Sequence, residues 1–563
     1  MIDPSPQAGI ARVAPGWHHW LPRIATAVLV PVLLFGIVEA ALRICEVGIP
    51  TSVTHPCTVQ GHPAFCDNLF FTATFFPPGI VRTPRPYAIP AKKPPETFRI
   101  FILGESAAYG DPDPAYGFSR YLEVMLRERF PAIKFEVINT GITAIDSHVL
   151  LPIAKDLARH QPDLFVVYAG NNEVVGPYGP GTVFSSAAMS LPAIRASIFV
   201  RSTRIGQLLA KVAGPKKQQP RDWRGMEMFL DKQIRADSPL MERAYANLAA
   251  NLHDIVSVAR GSGARVVLST VATNLKDCAP FASLHREDLG QDALRSWEEL
   301  VQRGAAFESA GAYADALKLY SAAAEIDPQY AELQFRIARC LWMLGDYPAA
   351  KEHFVRAQDL DTLRFRADSR TNDIIRSSAT GPGVALVDTA KIFAEESLHG
   401  VAGSELLYEH VHMTPRGNYL IARGLFQPVA GMLLPEAKRF HPGNDPPSEM
   451  DCDRLLALTR YDRSRVATEV LWRLERPPFT NQLDHSEQLL RLRIEAEAGS
   501  DSYEETVAQY RWAIARNPED RMLHLKFGLF LLQRNRAAAV EEFRSARPYD
   551  GFPVIMPDGT VVN

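Results

Sequence analysis

FRIFILGESAAYG, residues 98–110, runs from an apolar stretch through a glycine into a helix start. Phe98 to Leu103 is a short apolar run closed by Gly104, the pattern of a strand buried on both faces. Ser106 follows directly, where a tight turn enters a helix. A serine there projects its hydroxyl into the crevice at the carboxyl end of the strand. Its own N–H, at the helix start, can help hold an oxyanion. The elbow of α/β-hydrolases needs a glycine two residues after the nucleophile, and Ala108 stands there. The stretch has no lysine at phosphate-loop spacing, so it does not read as a phosphate loop. A serine used only as a helix N-cap is the competing reading.

Outward from this stretch the strand signal repeats. Phe135 to Asn139 ends near Gly141, Leu164 to Tyr168 ends at Gly170, and Arg265 to Thr270 and Val384 to Val387 are further apolar runs. Helical patterns at Tyr121–Phe130, Ser147–His160 and Met241–Arg260 lie between them. Strands alternating with helices predict a parallel sheet covered on both faces. Three more strand-end or downstream positions then carry polar chemistry. Gly141 lets a backbone N–H approach a ligand with no Cβ in the way. Asn172, in Asn171-Asn172-Glu173, can donate to a developing negative charge. His412 has a carboxylate, Glu409, three residues before it, able to orient the imidazole and stabilise its protonated form.

Ser106, Gly141, Asn172 and His412, in this order and in these strand contexts, resemble the four residues for which the SGNH (GDSL-like) hydrolase family is named. The resemblance spans about residues 99–424. It implies a flavodoxin-like three-layer α/β/α sandwich and ester hydrolysis. Ser106 is then the nucleophile, His412 the base and Glu409 the acid that holds it. The N–H groups of Ser106 and Gly141 and the Asn172 amide form the oxyanion hole. Two departures stand out: the usual GDS is Gly104-Glu105-Ser106, and the usual acid before the histidine is Glu409, one methylene longer than Asp. The implied substrate is an acyl ester of a glycan or lipid, with no cofactor. O-acyl transfer by the same groups is a competing reading, and a scaffold with a vestigial site is another.

Between the fourth and fifth strands the character changes. Gly311, Tyr313, Ala316, Tyr320 and Ala323 recur as Gly345, Tyr347, Ala350, Phe354 and Ala357, each pair 34 residues apart. This period resembles tetratricopeptide (TPR) repeats, in which small residues let paired helices approach and aromatics fill the gap. A groove of such repeats suits a protein or peptide partner. Tyr503, Tyr510, Ala513 and Pro518 fit the same template, with Gly528, Phe543 and Ala546 following after a one-residue slip.

Ile24 to Val38 carry no charge, and with Glu39 to Leu42 they make a helix nearly long enough for a bilayer core of roughly 30 Å. Arg12 and Arg23 precede it, and no Lys or Arg lies between Arg43 and Arg82. That asymmetry predicts a cytoplasmic N-terminus and an extracytoplasmic body, periplasmic in a bacterium. A cleaved signal sequence ending near Val38-Glu39-Ala40 is the alternative. Among six cysteines no CxxC occurs, which argues against a zinc ribbon. Cys57 and Cys66 flank a short loop and can pair in an exported chain, or stay separate thiols. A net charge of −3 offers no basic surplus for nucleic acid. The expected layout is a cytoplasmic N-terminus (1–23), membrane anchor (24–45), Pro-rich connector (46–95), N-terminal portion of the hydrolase domain (96–290), inserted repeats (291–365), C-terminal portion of the hydrolase domain (366–445), C-terminal TPR-like helices (451–548) and a loop-like tail (549–563).

Overall fold

The computed structural model describes residues 20–185, 190–213, 222–433, 445–499, 501–556 and 561–562. Residues 1–19 of the expected cytoplasmic segment lie outside them. The described chain opens with helix α1 (Trp20–Ile44). Its stretch Ala25–Ile44 is long and apolar enough to cross a membrane. The Pro-rich stretch that follows is more than the connector expected of it. Strands β1 (Thr54–Val59), β2 (His62–Asp67) and β3 (Ala88–Pro90) form an antiparallel sheet. Phe71, Phe75, Phe76 and Tyr87 enter the main core. Burying such aromatics, at roughly 1.5–3 kcal/mol each, outweighs the prolines' loss of ladder hydrogen bonds. A Cys57–Cys66 disulfide staples β1 to β2.

The main sheet contains β4 (Thr97–Gly104), β5 (Lys134–Asn139), β6 (Leu164–Tyr168), β7 (Arg265–Ser269) and β8 (Val384–Val387), all parallel, in the order β5-β4-β6-β7-β8. Side chains alternate along a strand, so Ile100 and Ile102 of β4 enter one core while Phe101 and Leu103 enter another. The short helix α2 (Ser106–Tyr109) follows β4. Helix α3 (Phe118–Arg129) packs into the first core; α4 (Ser147–Leu157) packs into the second. Two helices, α5 (Leu191–Ser202) and α6 (Arg204–Ala213), lie near the end of α1, and α7 (Pro239–Gly261) joins α4 on its face. The chain leaves β4 for β5 on one side and then crosses to β6 on the other. The reversal opens a crevice above the carboxyl end of β4.

The repeat segment is four helices, α8 (Gln291–Ser309), α9 (Tyr313–Ile326), α10 (Ala331–Leu344) and α11 (Tyr347–Leu360), paired in sequence order. Ala316, Tyr320 and Ala323 and their counterparts 34 residues on are all buried. A Cβ on Gly304 would come within 2.6 Å of the Tyr320 ring, which is why α8 and α9 approach so closely. Next come α12 (Ser369–Ser378), α13 (Thr389–Glu396) and α14 (Pro415–Met432), the last packed beside α3.

The C-terminal region is helical too: α15 (Glu449–Leu455), α16 (Arg460–Leu474), α17 (His485–Ala496), α18 (Tyr503–Arg516), α19 (Arg521–Leu531) and α20 (Arg536–Ser545). Gly528 lies under the Phe543 ring as Gly304 lies under Tyr320. The tail is not all loop, since β9 (Val554–Ile555) and β10 (Val561–Val562) pair antiparallel. Buried charges strap these helices to the segment after α2. Asp113 accepts from Lys526 Nζ at 2.6 Å and meets Arg465, and Arg120 meets Asp520. The Tyr121 hydroxyl donates to Asp453 Oδ1 at 2.5 Å.

Candidate active site

Ser106 is the first residue of α2, at the carboxyl end of β4. Its neighbour Glu105 is buried and accepts the N–H groups of Gly170 (3.1 Å), Asn171 (3.0 Å) and Asn172 (3.3 Å). The carboxylate thereby ties the end of β4 to the turn after β6 and sets Asn172 beside Ser106. Burial and the nearby Glu173 push Glu105 up to about 8, against the downward pull of those three donors. Glu173 in turn accepts from the Ser147 N–H (2.9 Å) and hydroxyl (2.7 Å), which anchors the start of α4.

The loop before α14 delivers the histidine. The His412 Nε2 lies 2.8 Å from Ser106 Oγ. Its Nδ1 faces Glu409 Oε1, which also accepts the His412 N–H at 3.0 Å. The longer Glu side chain therefore folds back on its own loop and still reaches the ring. Glu409 Oε2 accepts the His410 N–H at 2.9 Å and lies against the His410 ring, which is walled by Phe281 and Phe479. Potential ligand atoms of Glu409, His410 and His412 lie within 4.8 Å of one another. Both carboxylate oxygens are nonetheless engaged by the two rings and two N–H groups, and Ser106 occupies the other His412 nitrogen.

A second carboxylate, which sequence reading overlooks, stands on the Ser106 side of the ring. Asp111 Oδ2 is 3.4 Å from His412 Nε2. Arg473, from α16, holds Asp111 with its two terminal guanidinium nitrogens, at 2.7 and 3.0 Å, while its Nε donates to Glu469 Oε1 at 3.0 Å. Burial pushes the His412 imidazole down to about 4, with Asp111 pulling it up and Arg473 pushing it further down. The ring is then neutral at pH 7, the form that accepts a proton.

Gly141 is not among the residues that line the cavity, and its N–H donates to Asn139 Oδ1 at 2.9 Å. What the glycine allows is close packing, since a Cβ there would come within 2.6 Å of the Tyr109 backbone nitrogen. Three residues on, Ala144 lines the cavity together with Ser106 and Asn172, with a left-handed φ of +61°. Among the described residues no hydrogen bond uses the Ala144 N–H. Non-glycine residues rarely hold this conformation, and strain of this kind gathers at functional sites. No glycine marks the position, so the sequence carries no signal for it.

The cavity has a volume of about 330 Å³, within the range of small-molecule sites. Trp223, Phe229 and Phe365 give it apolar walls, and Trp472, Arg473 and Phe479 reach in from the C-terminal helices.

The molecule thus combines an α/β body built on a five-stranded parallel sheet with helical repeats and an apolar N-terminal helix. The tetratricopeptide repeat family model matches residues 308–364. No curated protein matches the chain. A crystal structure of an acetyl xylan esterase, AlAXEase, is similar at 11% identity over 59% of this chain and 100% of that one, with a TM-score of 0.27.

Proposed function

We propose that the chain is a membrane-anchored serine hydrolase of the SGNH kind, with a flavodoxin-like sandwich as its body and an acyl ester of a glycan or lipid as substrate. The observation that carries this reading is the Ser106 hydroxyl 2.8 Å from His412 Nε2, with Glu409 on the opposite ring nitrogen. In the reaction His412 accepts the hydroxyl proton as Ser106 Oγ attacks the ester carbonyl. Glu409 holds the ring and stabilises the imidazolium. The Ser106 N–H, the Ala144 N–H and the Asn172 amide bind the oxyanion, each such donor being worth about 10²–10³-fold in rate. His412 then protonates the leaving alcohol and activates water to release the acid. The anchor is α1, and the repeats recruit a protein or peptide partner.

Labelling with a fluorophosphonate probe tests the nucleophile. Wild-type protein is expected to take the label, and Ser106→Ala to lose it while turnover of a short acyl ester falls by about 10³-fold or more. Equal labelling or equal turnover in the two proteins refutes the assignment.

A further inference from the structure

The end of α1 is built into the body of the molecule. Glu39, in its last two turns, accepts the N–H groups of Arg204 (3.0 Å) and Ile205 (3.1 Å), the first two residues of α6. Those donors have no partner within their own helix, and a carboxylate there also faces the positive end of its dipole. Gln207 Oε1 accepts the Ile49 N–H at 2.9 Å, while Gln207 Nε2 donates to the Ile49 carbonyl at 3.1 Å. Thr51 Oγ1 donates to the Ser202 carbonyl at 2.9 Å. Helix α6 therefore starts against the last two turns of the membrane-crossing stretch.

The surface at this junction is apolar. Phe199 and Val200 close α5, and Leu208, Leu209 and Val212 run along α6, all exposed, Val212 by 80% and Phe199 by 63%. Five large apolar side chains in 14 residues form a patch that water does not favour and that marks an interaction site. Arg201 and Lys211 stand among them, and among the described residues neither makes an ion pair. Apolar side chains interleaved with unpaired cations suit a lipid surface carrying anionic headgroups.

We propose that α5 and α6 lie in the interfacial layer of the bilayer that α1 crosses. Phe199, Leu209 and Val212 enter the acyl-chain boundary, and Arg201 and Lys211 sit at the phosphates. The occupant is lipid, because α6 begins on the membrane-crossing helix itself and cannot be held away from the bilayer. The inference rests on reading α1 as the anchor and not on the catalytic assignment.

The test uses the full chain with Cys45→Ser, leaving only a disulfide and three buried cysteines. An environment-sensitive fluorophore is attached after Leu209→Cys, Val212→Cys, Leu34→Cys in α1, or Asp292→Cys as a water-facing reference. The protein is reconstituted in phosphatidylcholine vesicles, with and without phosphatidylglycerol, doped with acyl-chain quencher lipids. Positions 209 and 212 are expected to shift to the blue and lose about half or more of their emission, more so with phosphatidylglycerol, as position 34 does and position 292 does not. A quenched position 34 with water-like, unquenched 209 and 212 overturns the inference alone. A blue shift at 209 and 212 without quenching assigns the patch to a protein and also overturns it. An unquenched position 34 removes the anchor reading, and the inference falls with it.

Discussion

His412 stands between opposing charges, and their signs make its behaviour testable. Glu409 faces Nδ1, Asp111 lies 3.4 Å from Nε2, Arg473 lies behind Asp111, and the His410 ring is 5.6 Å away. A base works while neutral, so kcat/KM is present above its pKa and lost as pH falls through it. With burial lowering the ring to about 4, the acid limb is expected well below the ordinary imidazole value of about 6.5. Asp111→Asn removes an upward pull and leaves the downward push of Arg473, still paired with Glu469, so the limb moves to lower pH. Arg473→Gln removes a downward push, so it moves to higher pH. Shifts of the same sign in both pH–rate profiles refute the arrangement. Gly141→Ala is expected to lower stability by about 1–3 kcal/mol in thermal unfolding, because its Cβ meets backbone and not a yielding side chain. The candidate nucleophile Ser106, the candidate base His412 and Asn172 are legible from sequence because they sit at strand ends or in a polar run. The Ala144 N–H and Asp111 are not legible. One depends on a backbone angle that alanine does not advertise, the other on a partner 362 residues away.

Among the elements, those with a period are the ones a sequence reveals. The inner strands β4, β6 and β7 are largely apolar because both their faces are covered, the edge strands β5 and β8 are partly exposed, and the observed ends of all five lie within a residue or so of the expected ones. The repeats announce themselves by a 34-residue spacing that has a steric cause. Gly304→Ala puts a Cβ against Tyr320 and is expected to cost about 1–3 kcal/mol, whereas Gly290→Ala, with nothing within 4 Å, stays within about 0.5 kcal/mol. Equal melting temperatures for the two variants contradict that packing. The sheet of β1 to β3 escapes a periodicity reading, being short, proline-bearing and held by a disulfide and by aromatics that face the core. Reducing or replacing the Cys57–Cys66 bridge is expected to cost about 2–4 kcal/mol, read as a lower unfolding midpoint.

At the scale of the molecule, the C-terminal helices belong to the site and are not an appendage. They neutralise Asp111, Asp113 and Arg120, all on the segment after the candidate nucleophile. Removing one side of a buried ion pair strands the other, at about 3–5 kcal/mol each. Deleting residues 445–563 is therefore expected to abolish fluorophosphonate labelling and soluble expression together. A truncated protein that labels like the full chain refutes this. Such long-range pairing leaves no mark in local sequence, which reads only as helical there. The arrangement also orders events in time: Ser106 leaves the ribosome 367 residues ahead of Arg473. On the proposed reading, a nascent polypeptide that ends between the two lacks the cation that pairs with Asp111, and the candidate site is completed only once α16 has emerged.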